Sequence, residues 1–246
     1  MNDGRDSNDL DRAHDHNPPA FNLPRIVTIS CAVLIAAHAL RLLLDQDANA
    51  EIFLQFAFIP ERYASMSEVH AWPGGLGAAV WSFVTYSFLH GDWMHLTLNV
   101  VWFAAFGAAV ARRLKGLWFF ILCALCSVAG AVTHLLVYGP DSGIVIGASA
   151  AVSGLMGSAA RFIFAGTGFS LRGDETALLP LSPLTDRRVM AFTAVWFAVN
   201  LIFGLLGFGI DGNVRLIALE AHIGGYLAGL VLLPTLERFG RLSSRS

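Results

Sequence analysis

Charge is scarce in this chain. Asp, Glu, Lys and Arg make up 14% of 246 residues and sum to a net charge of -2, against 55% hydrophobic residues. That is too little charged surface to solubilise a globular domain of this length. A basic patch with interleaved aromatics is missing as well, which argues against nucleic acid as a partner. Cysteine is nearly absent: Cys31, Cys123 and Cys126 each lie inside an apolar run, so they spell neither a disulfide framework nor a metal knuckle, and thiols there pack as small hydrophobes. No H-E-x-x-H is present, and metal ligation has no other foothold. What remains is a chain of mean hydropathy +0.60, an integral multi-pass membrane protein of the all-α class.

Residues 1–22 are rich in Asp, Asn, Arg and His, with Pro18 and Pro19 near their end. They lack periodicity and apolar surface, the mark of a disordered tail. They are too acidic for a transit peptide and show no cleavage site for a removed signal. Apolar runs of roughly 20 residues, the length that crosses a bilayer as a helix, then follow at Leu23 to Leu44, Trp93 to Val110, Leu117 to Tyr138, Ala148 to Ala165, Val189 to Phe208 and Leu216 to Leu233. Six spans are expected within residues 23–236, with a short tail over residues 237–246.

Positive charge orients them, because loops rich in Lys and Arg stay in the cytoplasm. Arg112, Arg113 and Lys115 follow span two; Arg161, Arg172, Arg187 and Arg188 separate spans four and five; Arg238, Arg241 and Arg245 follow span six; Arg5, Arg12 and Arg25 precede span one. The opposite loops carry Arg62 and Arg215, so both termini are expected in the cytoplasm. The apolar segment Ala71 to Leu89 would break this rule as a full span, and Pro73, Gly74, Gly75 and Gly77 interrupt its start. Asp45 to His90 is therefore read as one large outer loop associated with the membrane, with Glu51 to Pro60 as an amphipathic piece.

In this orientation spans two, four and six run inward, and their polar residues share a depth. His95 and Asn99, Ser149, and His222 all fall in the first two turns of their spans, within roughly 10 Å of the outer ends at 1.5 Å per residue. Such groups are costly in a bilayer unless they face a partner or a wet cavity. His95 and Asn99 share a helix face, and Asp92 is placed to cap span two, leaving His90 in the loop. Ser149 opens an apolar helix, where free N–H groups and the helix dipole stabilise an oxyanion. Gly147, Ala151, Ser153, Gly154 and Gly157 around it also suit close helix packing with no chemistry at all. A serine becomes a nucleophile when a base takes its proton, and either His95 or His222 suits the task. Glu220 points away from His222, so a dyad is expected rather than a triad. His38 and His134 read as helix-packing histidines. A proton relay or transport path is the rival use of such residues, disfavoured because the polar groups gather near one surface.

The run His90-Gly91-Asp92-Trp93-Met94-His95-Leu96-Thr97-Leu98-Asn99, then Gly147-Ala148-Ser149, then Ala221-His222-Ile223-Gly224-Gly225 with Gly229, resembles the rhomboid family of intramembrane serine proteases. The resemblance runs from about Leu23 to Leu236 and implies the six-helix rhomboid bundle. It implies Ser149 as nucleophile, His222 as general base, His95 and Asn99 as oxyanion-stabilising side chains, His90 and Gly147 as structural or cavity-lining, and Gly225 and Gly229 as the glycines that let span six approach span four. It further implies transmembrane protein substrates, a bacterial cytoplasmic (inner) membrane setting with the site opening to the outer face, no cofactor and no metal. Span five, with Phe192, Trp196 and Phe197, and the first loop would be gates for lateral access. An inactive relative that binds transmembrane clients is the alternative within the family. The chain departs from the family at Ala150 (Gly is usual), at Trp81-Ser82 (Trp-Arg), at Ala111 (Glu) and at Ser153, where some relatives stack a Tyr beneath the histidine. Tyr226, one turn from His222, is the expected replacement.

Overall fold

The protein is described here by a computed structural model covering residues 23–114, 116–165, 179–206 and 218–243. The expected tail over residues 1–22, together with Lys115, Arg172 and Arg215, lies outside the described residues. The described residues form α1 (Arg25–Arg41), α2 (Gln46–Phe56), α3 (Met66–Ala71), α4 (Gly75–Thr85), α5 (Trp93–Arg113), α6 (Leu117–Tyr138), α7 (Ser149–Ala160), α8 (Arg187–Leu206) and α9 (Leu219–Ser243), with short 3-10 turns at Pro60–Tyr63 and Tyr86–Phe88. Among them there is no strand, and an antiparallel bridge between Phe58 and Val145 is the one isolated β contact. The all-α expectation holds. Among the described residues three helices are long and apolar enough to cross a membrane: Trp93–Arg113, Leu117–Tyr138 and Leu219–Gly240.

Local chemistry explains the helix ends. Asp92 accepts the His95 N–H at 2.7 Å and caps α5, as its position predicts. Asp45 caps α2 in the same way through Ala48, at 2.8 Å, and Asp186 takes the Arg188 N–H at 2.8 Å at the start of α8. α6 begins and ends where its apolar run does. Two boundaries differ most from the sequence reading. α7 stops at Ala160 instead of Ala165, because Arg161 turns back to donate to the carbonyls of Ser182 at 2.6 Å and Leu230 at 2.8 Å. α9 continues past Leu233 to Ser243, with Pro234 inside it.

At 12 residues α7 is shorter than the helices it packs against, α5, α6 and α9, about 18 Å at 1.5 Å per residue. It is also the most enclosed, with every residue from Ala150 to Leu155 and from Gly157 to Ala160 buried, packed against α5, α6 and α9. Its N-terminal approach is non-helical backbone that needs partners when buried. Phe58 and Val145 exchange N–H to carbonyl bonds at 2.9 and 3.1 Å, and the Gly147 N–H donates to the Tyr86 carbonyl at 3.0 Å. The loop between α1 and α5 thus completes the hydrogen bonding of the segment that leads into α7.

That loop is held from within. Arg62, fully buried, donates to the carbonyls of Leu54 at 2.7 Å, Pro73 at 3.0 Å and Gly75 at 3.4 Å. Tyr63 donates to the Ala79 carbonyl at 2.8 Å and meets the Ser82 hydroxyl at 3.0 Å. The α4 segment is 11 residues, too short to span, and Ala57 to Ile59, expected in an amphipathic helix, are instead buried extended chain beyond α2.

Between α7 and α9 the backbones touch. A Cβ added to Gly225 would fall on the Ala150 carbonyl, and one added to Gly229 on the Gly154 carbonyl, both far inside van der Waals contact. Small residues permit this approach and the dispersion it brings. Gly225→Val and Gly229→Val are expected to lower unfolding stability in detergent by about 1–3 kcal/mol or more. Gly143→Ala, where a Cβ meets open space, is expected to stay within about 0.5 kcal/mol of the parent. Denaturant unfolding followed by circular dichroism checks both.

Candidate active site

The two backbone contacts run in parallel register: Ala150 beside Gly225, and Gly154 beside Gly229. Toward the N-terminal ends of the pair, Gly130 of α6 touches both helices. A Cβ there would stand 2.6 Å from the Ala150 Cβ and 2.8 Å from the Ala221 carbonyl. Ser149 and His222 are the next residues along from those two atoms. Ser149 is the first residue of α7 and partly exposed, and His222 lies in the first turn of α9.

His95 enters from α5. A Cβ on Gly147 would lie 2.6 Å from its Nε2, so the imidazole rests on the backbone two residues before Ser149. Only glycine fits there, since Gly147 also has φ +113°, a conformation that side chains resist. Asn99, buried one turn below, donates one amide hydrogen to the His95 carbonyl at 2.9 Å, and the second amide hydrogen is left for another acceptor. His90 stacks edge-on to His95 at 5.1 Å between centroids and accepts the Ala148 N–H on Nε2 at 3.4 Å. It therefore supports the turn into Ser149 from outside the helix, as a structural residue would.

The buried His90 ring is pushed down to about 3, by desolvation first and then by the neighbouring His95 and His38. It stays neutral at physiological pH, as an acceptor must.

Other polar residues face elsewhere. His134 Nδ1 pairs with Glu220, and its Nε2 meets the Gly143 carbonyl at 3.2 Å, which holds the Glu220 carboxylate toward α6. His38 packs edge-on to Trp93 at 4.7 Å and accepts from Arg41 at 3.3 Å. Arg41 also donates to the His90 carbonyl at 2.7 Å and to Asn49 at 2.9 Å. Arg41 is buried among these partners at the C-terminal end of α1.

Tyr226 stacks on Trp196 at 4.1 Å and its hydroxyl meets Thr193 at 2.8 Å, both on α8. The hydrogen-bonded partner of His222 is Asn200, also on α8, at 2.8 Å between Nδ1 and Oδ1. Sequence reasoning missed it. The signal was available, because Asn200 is a strongly polar residue inside an apolar span, the same criterion that singles out Asn99.

A serine at the start of an enclosed helix, flanked by histidines from two neighbouring helices, defines a helical membrane protein with a polar site set among its apolar spans. The chain belongs to the rhomboid family, whose Rhomboid domain profile matches residues 77–239. Among curated proteins it is similar to Rhomboid protease GlpG of Yersinia pestis (strain Pestoides F), 24% identical over 206 residues, 84% of this chain and 61% of that protein. It is also similar to Rhomboid protease GlpG of Serratia proteamaculans (strain 568), 28% identical over 158 residues, 62% of this chain and 47% of that protein. The chain thus spans 61% or less of the length of these curated relatives.

Because the folded His90 has a lower affinity for protons than the ordinary 6.5, the unfolded chain binds more protons, and stability present above about 6.5 is lost as pH falls toward 3. Thermal unfolding in detergent is expected to show a Tm that drops between pH 7 and 4, and His90→Asn is expected to flatten that drop while lowering Tm at pH 7. An equal slope in both proteins would contradict the assignment.

Proposed function

We propose that this protein is an intramembrane serine endopeptidase that cuts transmembrane or membrane-proximal segments of other membrane proteins. In this reading α1, α5, α6, α7, α8 and α9 are six spans, both termini are cytoplasmic and the site opens to the outer face of a bacterial cytoplasmic membrane. The observation that carries it is the backbone contact of α7 and α9, which keeps the turns bearing Ser149 and His222 side by side. Membership of the rhomboid family supports it.

Ser149 Oγ attacks the scissile carbonyl carbon as His222 Nε2 takes its proton. The resulting oxyanion is stabilised by the His95 imidazole, the Asn99 amide and the Ser149 N–H at the positive end of α7. Collapse expels the amine with the proton from His222 and leaves an ester on Ser149. Water from the outer face, deprotonated by the same histidine, then releases the acid. His90, Gly147, Gly225 and Gly229 hold the geometry without touching substrate. A helical substrate hides its carbonyls in i to i-4 hydrogen bonds, so it must unwind at the cut.

Purified protein in liposomes is expected to cleave a labelled transmembrane peptide carrying Gly or Pro near the cut, and to cleave a helix-stabilised version more slowly. Ser149→Ala and His222→Ala are expected to abolish turnover, and His95→Ala or Asn99→Ala to lower kcat by about 10²-fold, the usual cost of an oxyanion donor. Retained turnover in folded Ser149→Ala would overturn the reading.

A further inference from the structure

A base must be presented in the right tautomer before it can act, and this requirement assigns a role to a residue on α8. His222 Nδ1 and Asn200 Oδ1 lie 2.8 Å apart. The other end of the same amide is also engaged, with Asn200 Nδ2 donating to the Trp196 carbonyl at 2.8 Å, one turn back on α8. That second bond decides which way the amide faces. Its nitrogen is committed to the helix backbone, so its oxygen is directed at the histidine. An amide oxygen only accepts, so His222 Nδ1 carries the hydrogen in the neutral ring, and Nε2 is left with its lone pair bare.

We propose that Asn200 is the positioning residue of this site, holding His222 in the Nδ1–H tautomer with Nε2 free to take the proton of Ser149. This rests on the serine protease reading above and deepens it. The dyad then has a third, neutral member, a role that a carboxylate fills in triads, where it orients the imidazole and sets its tautomer. Glu220 cannot serve, since its carboxylate is paired with His134 on α6. A neutral amide orients the ring without placing a fixed negative charge in an apolar setting, where an unpaired carboxylate is expensive.

The bond has a mechanical consequence. Asn200 belongs to α8 and His222 to α9, so the base is oriented only while these two helices are packed together. Trp196 stacked on Tyr226 and the Thr193 to Tyr226 hydroxyl contact are the neighbouring fasteners of that seam. Movement of α8 away from α9 would release the imidazole, and its return would re-orient it.

Two measurements on the full-length protein test this. The first does not depend on turnover: imidazole nitrogen shifts of His222 in detergent-solubilised Ser149→Ala protein, assigned by difference from the Ser149→Ala/His222→Gln double variant. The Nδ1–H tautomer is expected to dominate, and adding Asn200→Leu is expected to shift the population toward Nε2–H. A dominant Nε2–H form, or populations unmoved by Asn200→Leu, would overturn the proposal.

The second is steady-state cleavage of the transmembrane peptide. Asn200→Leu is expected to lower kcat by about 10²-fold, the scale of a misplaced catalytic group, while KM stays within about a factor of two. Asn200→Asp can accept the same N–H and is expected to recover much of kcat. Its negative charge favours the imidazolium, so the acid limb of the pH profile is expected to move to higher pH. His95 and Glu220, the titratable groups that act on His222, are common to every variant. A merely structural asparagine would lower the folded yield in the Leu variant and leave the acid limb of the Asp variant in place, and that pattern would count against the proposal. If the wild type shows no turnover, the protease reading fails alone, and the nitrogen shifts still decide whether Asn200 sets the tautomer.

Discussion

Two helices that meet backbone to backbone fix everything else in this molecule. Where α7 and α9 cross there is no side chain between the Gly225 and Gly229 Cα atoms and the carbonyls of Ala150 and Gly154, so the register cannot slide without collision. In a bilayer no hydrophobic effect drives helices together, since lipid is as apolar as the helix surface. Close contact of small residues and buried hydrogen bonds supplies the association instead. Ser158 adds one such bond, donating to the Gly229 carbonyl at 2.9 Å. From that fixed register, the depth of Ser149 relative to His222 follows by geometry.

Buried polar groups then locate the remaining elements around the α7 and α9 pair. Those that tie one element to another have definite partners, because an unsatisfied polar group there costs several kcal/mol on the scale of transfer from water. Near the C-terminal ends of α5 and α9, Arg113 pairs with Glu237 and donates to the Leu179 carbonyl at 2.7 Å. At the opposite end Arg41 joins α1 and α2 to the His90 carbonyl, and Arg62 gathers three carbonyls of the loop between α1 and α5. These arginines act as clamps, and the loop they organise reaches the approach to α7 through the Tyr86 carbonyl and Phe58.

The fold was legible in the sequence wherever one helix's chemistry decided the outcome. Asp92 could be placed as a cap, the apolar run of α6 gave both its ends, and Pro73 with the glycines after it kept Ala71 to Leu89 from being counted as a span. The reading failed where two elements decide jointly. α7 ends early because Arg161 finds carbonyls on the following loop and on α9, which no property of its own run announces. Tyr226 shares a helix face with His222, yet its ring and hydroxyl belong to Trp196 and Thr193. For the site, the residues on spans two, four and six were found because polarity and depth coincided, and a helix start marked Ser149. Asn200 escaped because span five runs the other way in the expected topology. Asn200 also sits past the middle of that run, away from either end, so its position alone does not match it with the polar residues at the starts of the others.

The central claim is that Ser149 is a nucleophile made reactive by His222, and one measurement addresses it without knowledge of the natural substrate. The folded protein in detergent is treated with a fluorophosphonate, which forms a stable adduct with activated serines, and the modified residue is identified by peptide mass spectrometry. The account predicts an adduct on Ser149 in the wild type and its loss in His222→Ala with the fold retained. A Ser149 that stays unmodified in the wild type, or that is modified equally in the absence of His222, would contradict it.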